Sequence, residues 1–267
     1  MLDTSALPDK AAFASANGWT YVGSAPAPGY SGSTFEYLLD ATVADVFRSG
    51  AGPATEVGIV SGKIGGGQAW QGTGGAVSMS FETNEIATLG YMAIKLQASL
   101  PQYVLDSRRN DGGPLSSIIM PIAGGQTISL EGDFDSHFIL YGPKGYETDA
   151  RYVFTPDLMG LLIDETGDFD VEIADDTVFV YARNGWDLSS AVLWERLDRI
   201  RSVVGAKTLR QTGRYRDANP AGQNARRLRL GFFGTRNKAS LILGFALMLG
   251  VLVATIGVIV AVVVFLI

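Results

Sequence analysis

The sequence contains no cysteine and a single histidine, His137. Without cysteine there can be no disulfide and no thiol nucleophile, and nothing argues for export into an oxidising compartment. One histidine excludes a metal site built on two imidazoles and a relay between histidines. The serine elbow of hydrolases, the dinucleotide-binding fingerprint and a phosphate-binding loop are also missing, since Lys63 precedes its glycine run. We therefore predict no catalytic residue and no cofactor.

Charge and proline are absent from residues 239–267, which are almost wholly aliphatic. A helix of about 20 apolar residues crosses a hydrocarbon core of about 30 Å, so this segment is long enough for a transmembrane helix. No residue follows Ile267. We predict a tail-anchored, single-pass protein of the cell membrane.

Small residues recur at intervals of three or four within this apolar segment. Such a ridge lets two helices approach closely in lipid, where packing drives association. We expect it to pair with another membrane protein or with a second copy of the chain. The ridge consists of Ala246, Gly250, Ala254, Gly257 and Ala261.

Acidic residues are nearly absent from residues 207–238, which carry nine Lys and Arg against the single acid Asp217. Residues 1–206 carry twelve bases against 26 acids. Positive charge beside a span stays on the cytoplasmic side, so we predict a cytoplasmic domain. Its acidity disfavours nucleic acid as a partner. The bases closest to the apolar segment are either a topology signal alone or a surface for anionic lipid headgroups of the bilayer: Arg226, Arg227, Arg229, Arg236 and Lys238.

The pattern of residues 1–206 predicts an α+β domain, mainly antiparallel β with a few short helices. It is followed by a basic juxtamembrane linker at 207–238, and the domain has either one lobe or two that meet near 113–126. We predict helices at 9–17, from Thr155 with Pro156 at the first helical position, and from Asp187 onward. Predicted strands, with a hairpin corner at Thr83 and Asn84, are 42–48, 55–63, 77–81, 88–97 and 103–107.

Residues 169–182 carry apolar side chains at every second position on each side of Asp175 and Asp176. This pattern predicts a two-residue hairpin at the two aspartates. The inward-facing side chains would be Phe169, Val171, Ile173, Val178 and Val180. The aspartates around the turn lack the ligand order of a calcium loop, so we expect them to be solvated.

Asp133, Asp135 and His137 follow each other with a period of two. In a strand this period places them on one face, where they could bind a divalent cation. The alternative is an exposed polar face opposite the apolar one of Phe134 and Phe138. The second interpretation explains the pattern without a metal.

Two segments of the chain resemble a known group of proteins. They are ISLEGDFDSHFILYGPKGYETDARYVFTPDLMGLLID at 128–164 and FDVEIADDTVFVYA at 169–182. They are similar to segments of uncharacterised membrane-anchored proteins found widely in actinobacteria. The resemblance implies a bacterial membrane protein and carries over no catalytic residue.

These observations favour a non-enzymatic binding or accessory module that attaches to a membrane complex through its anchor. One alternative is a membrane-tethered enzyme or metal-dependent module that uses the acidic face around His137. Another is a module that senses anionic lipid through its basic linker.

Overall fold

The computed structural model describes residues 2–50, 52–72, 75–110, 122–217 and 223–229, with the backbone alone for 66–72, 75–83, 223 and 224. Its centre is an antiparallel sheet with short helices around it, which confirms the predicted α+β class. The strands are β1 (Thr20–Pro26), β2 (Leu38–Ser49), β3 (Thr55–Gly72), β4 (Gly75–Ser107), β5 (Thr127–Ile128), β6 (Phe138–Tyr141) and β7 (Asp170–Arg183).

The strand order is β1-β2-β3-β4-β6-β5, and β7 also pairs with β4. Strands β3 and β4 form a long hairpin whose last pair is Gly72 with Gly75. The predicted corner at Thr83 and Asn84 is wrong, because β4 runs through both residues. Both residues lie within a register shift of the ladder with β3, between Glu82 and Ile86, and the strand continues past them.

Strand β7 corrects the second predicted hairpin. Residues 170–183 form one strand that pairs with β4 along its length, so there is no turn at Asp175 and Asp176. Asp175 has a φ of 51° and lies at a register shift between two stretches of this ladder. The irregularity switches the core-facing positions from odd-numbered to even-numbered residues. Ile173 and Val178 therefore both face the main core, as do the other residues predicted to point inward.

The helices are short, and the three that the sequence predicted begin at or within a few residues of their expected starts. Asp9 accepts hydrogen bonds from two backbone N–H groups of α1, and Ser190 accepts one at the start of α6. Pro156 opens α5 as predicted, although the Thr155 side chain makes no capping bond. The helices are α1 (Lys10–Ala16), α2 (Ser33–Tyr37), α3 (Phe134–His137), α4 (Glu147–Val153), α5 (Pro156–Thr166), α6 (Ala191–Arg199) and α7 (Ala206–Thr212), with a π-helical turn (Ile200–Gly205) between the last two.

The main core lies between one face of the sheet and helices α1, α5 and α6. Its centre is Trp194, whose ring lies 4.7 Å from that of Phe13 and 4.8 Å from that of Phe47. The indole N–H donates to the Leu188 carbonyl at 2.9 Å, so this large side chain is buried without losing its hydrogen bond. This packing fixes α6 against β2 and α1.

The segment predicted as a linker, 207–238, begins inside the folded domain. Its first residues form α7, and residues 223–229 pack against the domain through hydrogen bonds described below. Strands from both sides of 113–126 lie in one sheet. Among the residues that the model describes, none of the helices has the length and apolar character needed to cross a membrane. The predicted transmembrane helix at 239–267 and its small-residue ridge lie outside these residues, as do Arg236 and Lys238.

Candidate functional site

The second face of the sheet is covered by residues 27–32 and α2, which pack through an aromatic cluster. Phe35 lies edge-on to Tyr91 at 5.1 Å and beside Phe179 at 5.8 Å, and Tyr30 lies 5.1 Å from Phe35. Tyr181 stacks on Phe179 at 5.7 Å. Aromatic pairs at these distances contribute about 1 kcal/mol each beyond the area they bury. The cluster therefore holds α2 in place above the sheet, next to two buried glutamates.

The first of these is Glu56 on β3, which is 6% exposed. Its Oε1 accepts a hydrogen bond from the Tyr91 hydroxyl at 2.8 Å, and its Oε2 accepts one from Arg48 Nε at 2.5 Å. Burial, followed by the negative charge of Glu56, raises the pKa values of Tyr30 and Tyr91 far above their ordinary value. Both phenols therefore stay protonated, and Tyr91 donates a hydrogen bond to the carboxylate. Gly58 allows this arrangement, since a Cβ there would lie 3.0 Å from the Tyr91 ring.

A cleft of about 370 Å³ opens beside Glu56. Arg48 on β2 pairs with Glu56 on β3, which pairs with Ala93 on β4, so the three side chains share one row across the sheet. Lys95, further along β4, ion-pairs with Asp176 at 2.6 Å. The full lining is Tyr30, Arg48, Ser49, Gly50, Ala54, Thr55, Glu56, Ala93, Lys95 and Thr177. We call this space the cleft.

The second glutamate, Glu172 on β7, is 1% exposed. Ser33 donates to its carboxylate from both the backbone N–H and the hydroxyl, at 2.9–3.0 Å. Gln102 Nε2 donates at 2.7 Å and the Tyr181 hydroxyl at 3.2 Å. Burial raises the pKa of Glu172 above its ordinary value, although these donors oppose the shift. The carboxylate thus ties α2, β4 and β7 together at one point.

Gln102 extends this network to residues 226–229, which we call the strap. Its Oε1 accepts a hydrogen bond from the backbone N–H of Leu228 at 2.9 Å, and Leu228 is 6% exposed. Gln126 binds the next residue twice, since its Oε1 accepts from Arg229 N at 2.7 Å and its Nε2 donates to Arg229 O at 2.8 Å. Two side-chain amides therefore recognise the strap backbone much as a neighbouring strand would.

Two arginines of the strap are engaged with acidic groups of the domain. Arg226 Nε lies 3.1 Å from Asp217 Oδ2, and both side chains are less than one-fifth exposed. Arg227 donates to Glu36 Oε2 at 2.5 Å and to the Ser31 carbonyl at 3.0 Å. Both had been predicted as membrane-surface residues, and here their charges are held within the folded domain. Arg229, from the same predicted set, is exposed.

The predicted acidic face around His137 does not form a strand. Helix α3 begins after Asp133 and includes Asp135 and His137, because Gly132 turns the chain with a φ of 73°. His137 Nε2 lies 3.4 Å from Asp133, whereas Asp135 accepts a hydrogen bond from Ser129 at 2.5 Å. Helical spacing keeps Asp133 beside His137 but turns Asp135 away from them, so the three side chains that a strand would have aligned do not share one face. In the part of the chain that the model describes, His, Asp and Glu side chains form no group of three that could hold a metal ion.

The aspartates around residue 175 are also spread apart by the continuous strand. Asp168 ion-pairs with Arg196, and Asp176 with Lys95. Asp170 is fully buried and accepts a hydrogen bond from Ser107 N at 2.7 Å, so it is not the solvated turn residue that the sequence indicated. Each carboxylate therefore serves a separate structural contact.

Sequence reasoning missed both Glu56 and Glu172. A usable signal exists for Glu172, because residues 178–182 of the same strand are apolar at every position. Such a run is typical of a strand buried on both faces, so a charged residue earlier in it is also buried and needs partners. For Glu56 the sequence carries no comparable signal, since its partners come from three other segments.

No protein-family model and no curated protein sequence matches this chain. Among solved structures, this chain is similar to the crystal structure of the mycobacterial trehalose monomycolate transport factor A, TtfA. The TM-score is 0.44 and the sequence identity is 13%, over 78% of this chain and 93% of that chain.

Proposed function

We propose that this protein is a non-enzymatic accessory module of a membrane complex, tethered by residues 239–267 with its acidic domain on the cytoplasmic side. The observation that supports this proposal is the strap. Its backbone is bound by Gln102 and Gln126, and Leu228 is buried between them. Residues 226–229 are therefore fixed to the domain, instead of hanging free as a linker.

Chain length makes the position of the strap informative. Only residues 230–238 separate Arg229 from the apolar segment. Nine residues span at most about 30 Å when fully extended. A domain held by so short a connection has little freedom to diffuse away from its anchor. It therefore keeps one part of its surface at high effective concentration next to whatever protein the anchor binds.

The strap also favours the accessory role over lipid sensing. Before Arg226 and Arg227 could bind headgroups, they would have to leave Asp217 and Glu36. The Arg226–Asp217 pair is less than one-fifth exposed at both side chains, so it is costly to break at one partner. The Arg227–Glu36 pair is partly exposed and costs less to break. Within the strap, Arg229 is the base that is exposed in the folded domain. A metal-dependent role gains no support from the His137 region, where Asp135 is occupied by Ser129.

The test is gentle extraction of the full chain from its native membrane after crosslinking, followed by sizing and identification of the proteins that travel with it. We expect a membrane protein at fixed stoichiometry. Leu228→Asp should reduce its recovery, because the charge would expel Leu228 from its buried position and release the strap. Gly250→Leu tests the ridge separately and should weaken pairing within the membrane.

Val192→Ser is the matched control. Val192 is 75% exposed and belongs to α6, which is distant from the strap in sequence. Recovery of the partner should be unchanged in this variant. A lone monomer or homodimer of the wild-type protein would contradict the accessory role. A partner recovered equally well with Leu228→Asp would remove the strap from the proposal.

A further inference from the structure

The cleft on the second face has the character of a small-molecule site. Its volume of about 370 Å³ falls in the range of about 300–1,000 Å³ that ligand pockets occupy. Such pockets combine an apolar lining with a few placed polar groups. Here Ala93 and Ala54 supply apolar surface, Tyr30 adds an aromatic ring, and the charges come from Arg48 and Lys95.

Small side chains explain why space remains at this point of the sheet. Ala93 lies in the row between Glu56 on β3 and Phe179 on β7, where a larger residue would fill the centre. The Glu56 carboxylate cannot swing into the space, because Tyr91 and Arg48 hold its two oxygens. The cleft is therefore an open volume beside a carboxylate that is held in place.

The charges at the cleft favour one class of ligand. Arg48 uses Nε for Glu56, and its side chain is 49% exposed, so a guanidinium with five N–H donors keeps further donors for a ligand. Lys95 is 57% exposed, and its pair with Asp176 is a surface ion pair that an incoming anion can displace at little cost. Glu56 adds one negative charge close by, which opposes a ligand with two negative charges.

We propose that the cleft binds a small amphiphile with a single negative charge on an oxygen acid, its charged end between Arg48 and Lys95 and its apolar body against Tyr30 and Ala93. A fatty carboxylate and a phosphodiester share this chemistry. The site is independent of the strap and goes beyond the accessory role.

Binding is measured by calorimetry on the full chain in zwitterionic nanodiscs, with empty nanodiscs as the blank. The probes are hexanoate, dibutyl phosphate, hexanol and, at pH 8, hexyl phosphate, which then carries two charges. We expect hexanoate or dibutyl phosphate to bind at least about tenfold more tightly than hexanol, because charged hydrogen bonds to arginine are strong. Hexyl phosphate should bind at least about tenfold more weakly than they do, because Glu56 repels its second negative charge. Tighter binding of hexanoate identifies the ligand as a fatty carboxylate, and tighter binding of dibutyl phosphate identifies it as a phosphodiester. Equal binding of hexanol, or no binding of any probe, overturns the proposal.

Variants locate the binding. Ala93→Leu fills the floor of the cleft and should abolish the heat of binding, and Arg48→Gln should weaken it about tenfold. Lys10→Gln is the control, because Lys10 forms a surface ion pair with Asp45 outside the cleft and should leave affinity unchanged. Arg48→Gln provides an independent test of the site if Ala93→Leu fails to fold, and circular dichroism checks the folding of both variants. Unchanged affinity in Arg48→Gln contradicts the site. No partner protein is present in this assay, so its failure would leave the accessory proposal untouched.

Discussion

Glu56 and Glu172 lie on the same face of the sheet, and their surroundings differ. Glu56 is neutralised by a cation, Arg48, whose side chain is half exposed at the mouth of the cleft. Glu172 is held by neutral donors from Ser33, Gln102 and Tyr181 and has no access to solvent. A carboxylate whose cation partner reaches the mouth of a cleft is suited to a binding site. A sealed one with donors from several segments is suited to joining those segments.

The largest effect should come from removing the sealed carboxylate. Glu172→Leu leaves the donors of Ser33, Gln102 and Tyr181 buried without an acceptor, so we expect a loss of about 3–5 kcal/mol in the free energy of unfolding. Glu56→Leu should cost only about 1–2 kcal/mol, because water in the cleft can reach the groups left behind. Urea unfolding of the full chain in nanodiscs, followed by tryptophan fluorescence, measures both. Equal losses would show that the two sites do not differ in this way.

The next effect concerns the connection from the sealed site to the strap. Gln102→Met removes the bonds to Glu172 and Leu228 with little change in volume, and should cost about 2 kcal/mol. It should also speed trypsin cleavage at Arg226 and Arg227. Gln211→Met is the control, since the Gln211 side chain donates a hydrogen bond to the exposed Tyr152 carbonyl, and should change stability by less than about 0.5 kcal/mol. Similar cleavage rates in both variants would mean that Gln102 does not hold the strap on the domain.

A smaller effect is the pH dependence of stability. Burial raises the folded-state pKa of Glu172 above its ordinary value of 4.5, so the folded protein binds its proton more tightly than the unfolded chain does. This contribution is fully present below about pH 4.5 and is lost as the pH rises through the raised pKa. Glu172→Gln should therefore lower stability overall and also flatten its decline with pH over this window. If stability declines with pH at the same slope in the variant, the pH dependence comes from another titrating group.

The smallest effect tests whether the charge of Arg227 in the strap acts on Glu36 of α2. Burial raises the pKa of Glu36, and the Arg227 guanidinium lowers it. Arg227→Gln should therefore raise the pKa of Glu36 further, as measured by carbon-13 NMR of its side-chain carboxyl. Arg226→Gln is the matched control, because Arg226 pairs with Asp217. A Glu36 pKa that does not move in Arg227→Gln would mean that the strap is not docked in solution.

The sequence predicted the elements whose signals are local. Asp9 and Pro156 mark helix starts through chemistry within a few residues, and the structure confirms both. The helix predicted from Asp187 begins slightly later, after the cap at Ser190. The inward face of β7 was also correct, since alternation is a property of adjacent residues. Its hairpin was wrong because two aspartates suit either a turn or an irregularity in a paired strand. Only the neighbouring strand β4 decides between these two outcomes.

The candidate site shows the same division. Composition alone determined an acidic domain, a basic segment and a long uncharged apolar stretch, because each is a sum over residues. The cleft required the tertiary structure, since Tyr30, Arg48, Glu56 and Lys95 come from four segments and meet only through the register of the sheet. The strap required it as well. A run of arginines is equally suited to phosphate groups and to carboxylates, and only folding places Glu36 and Asp217 within reach of Arg227 and Arg226.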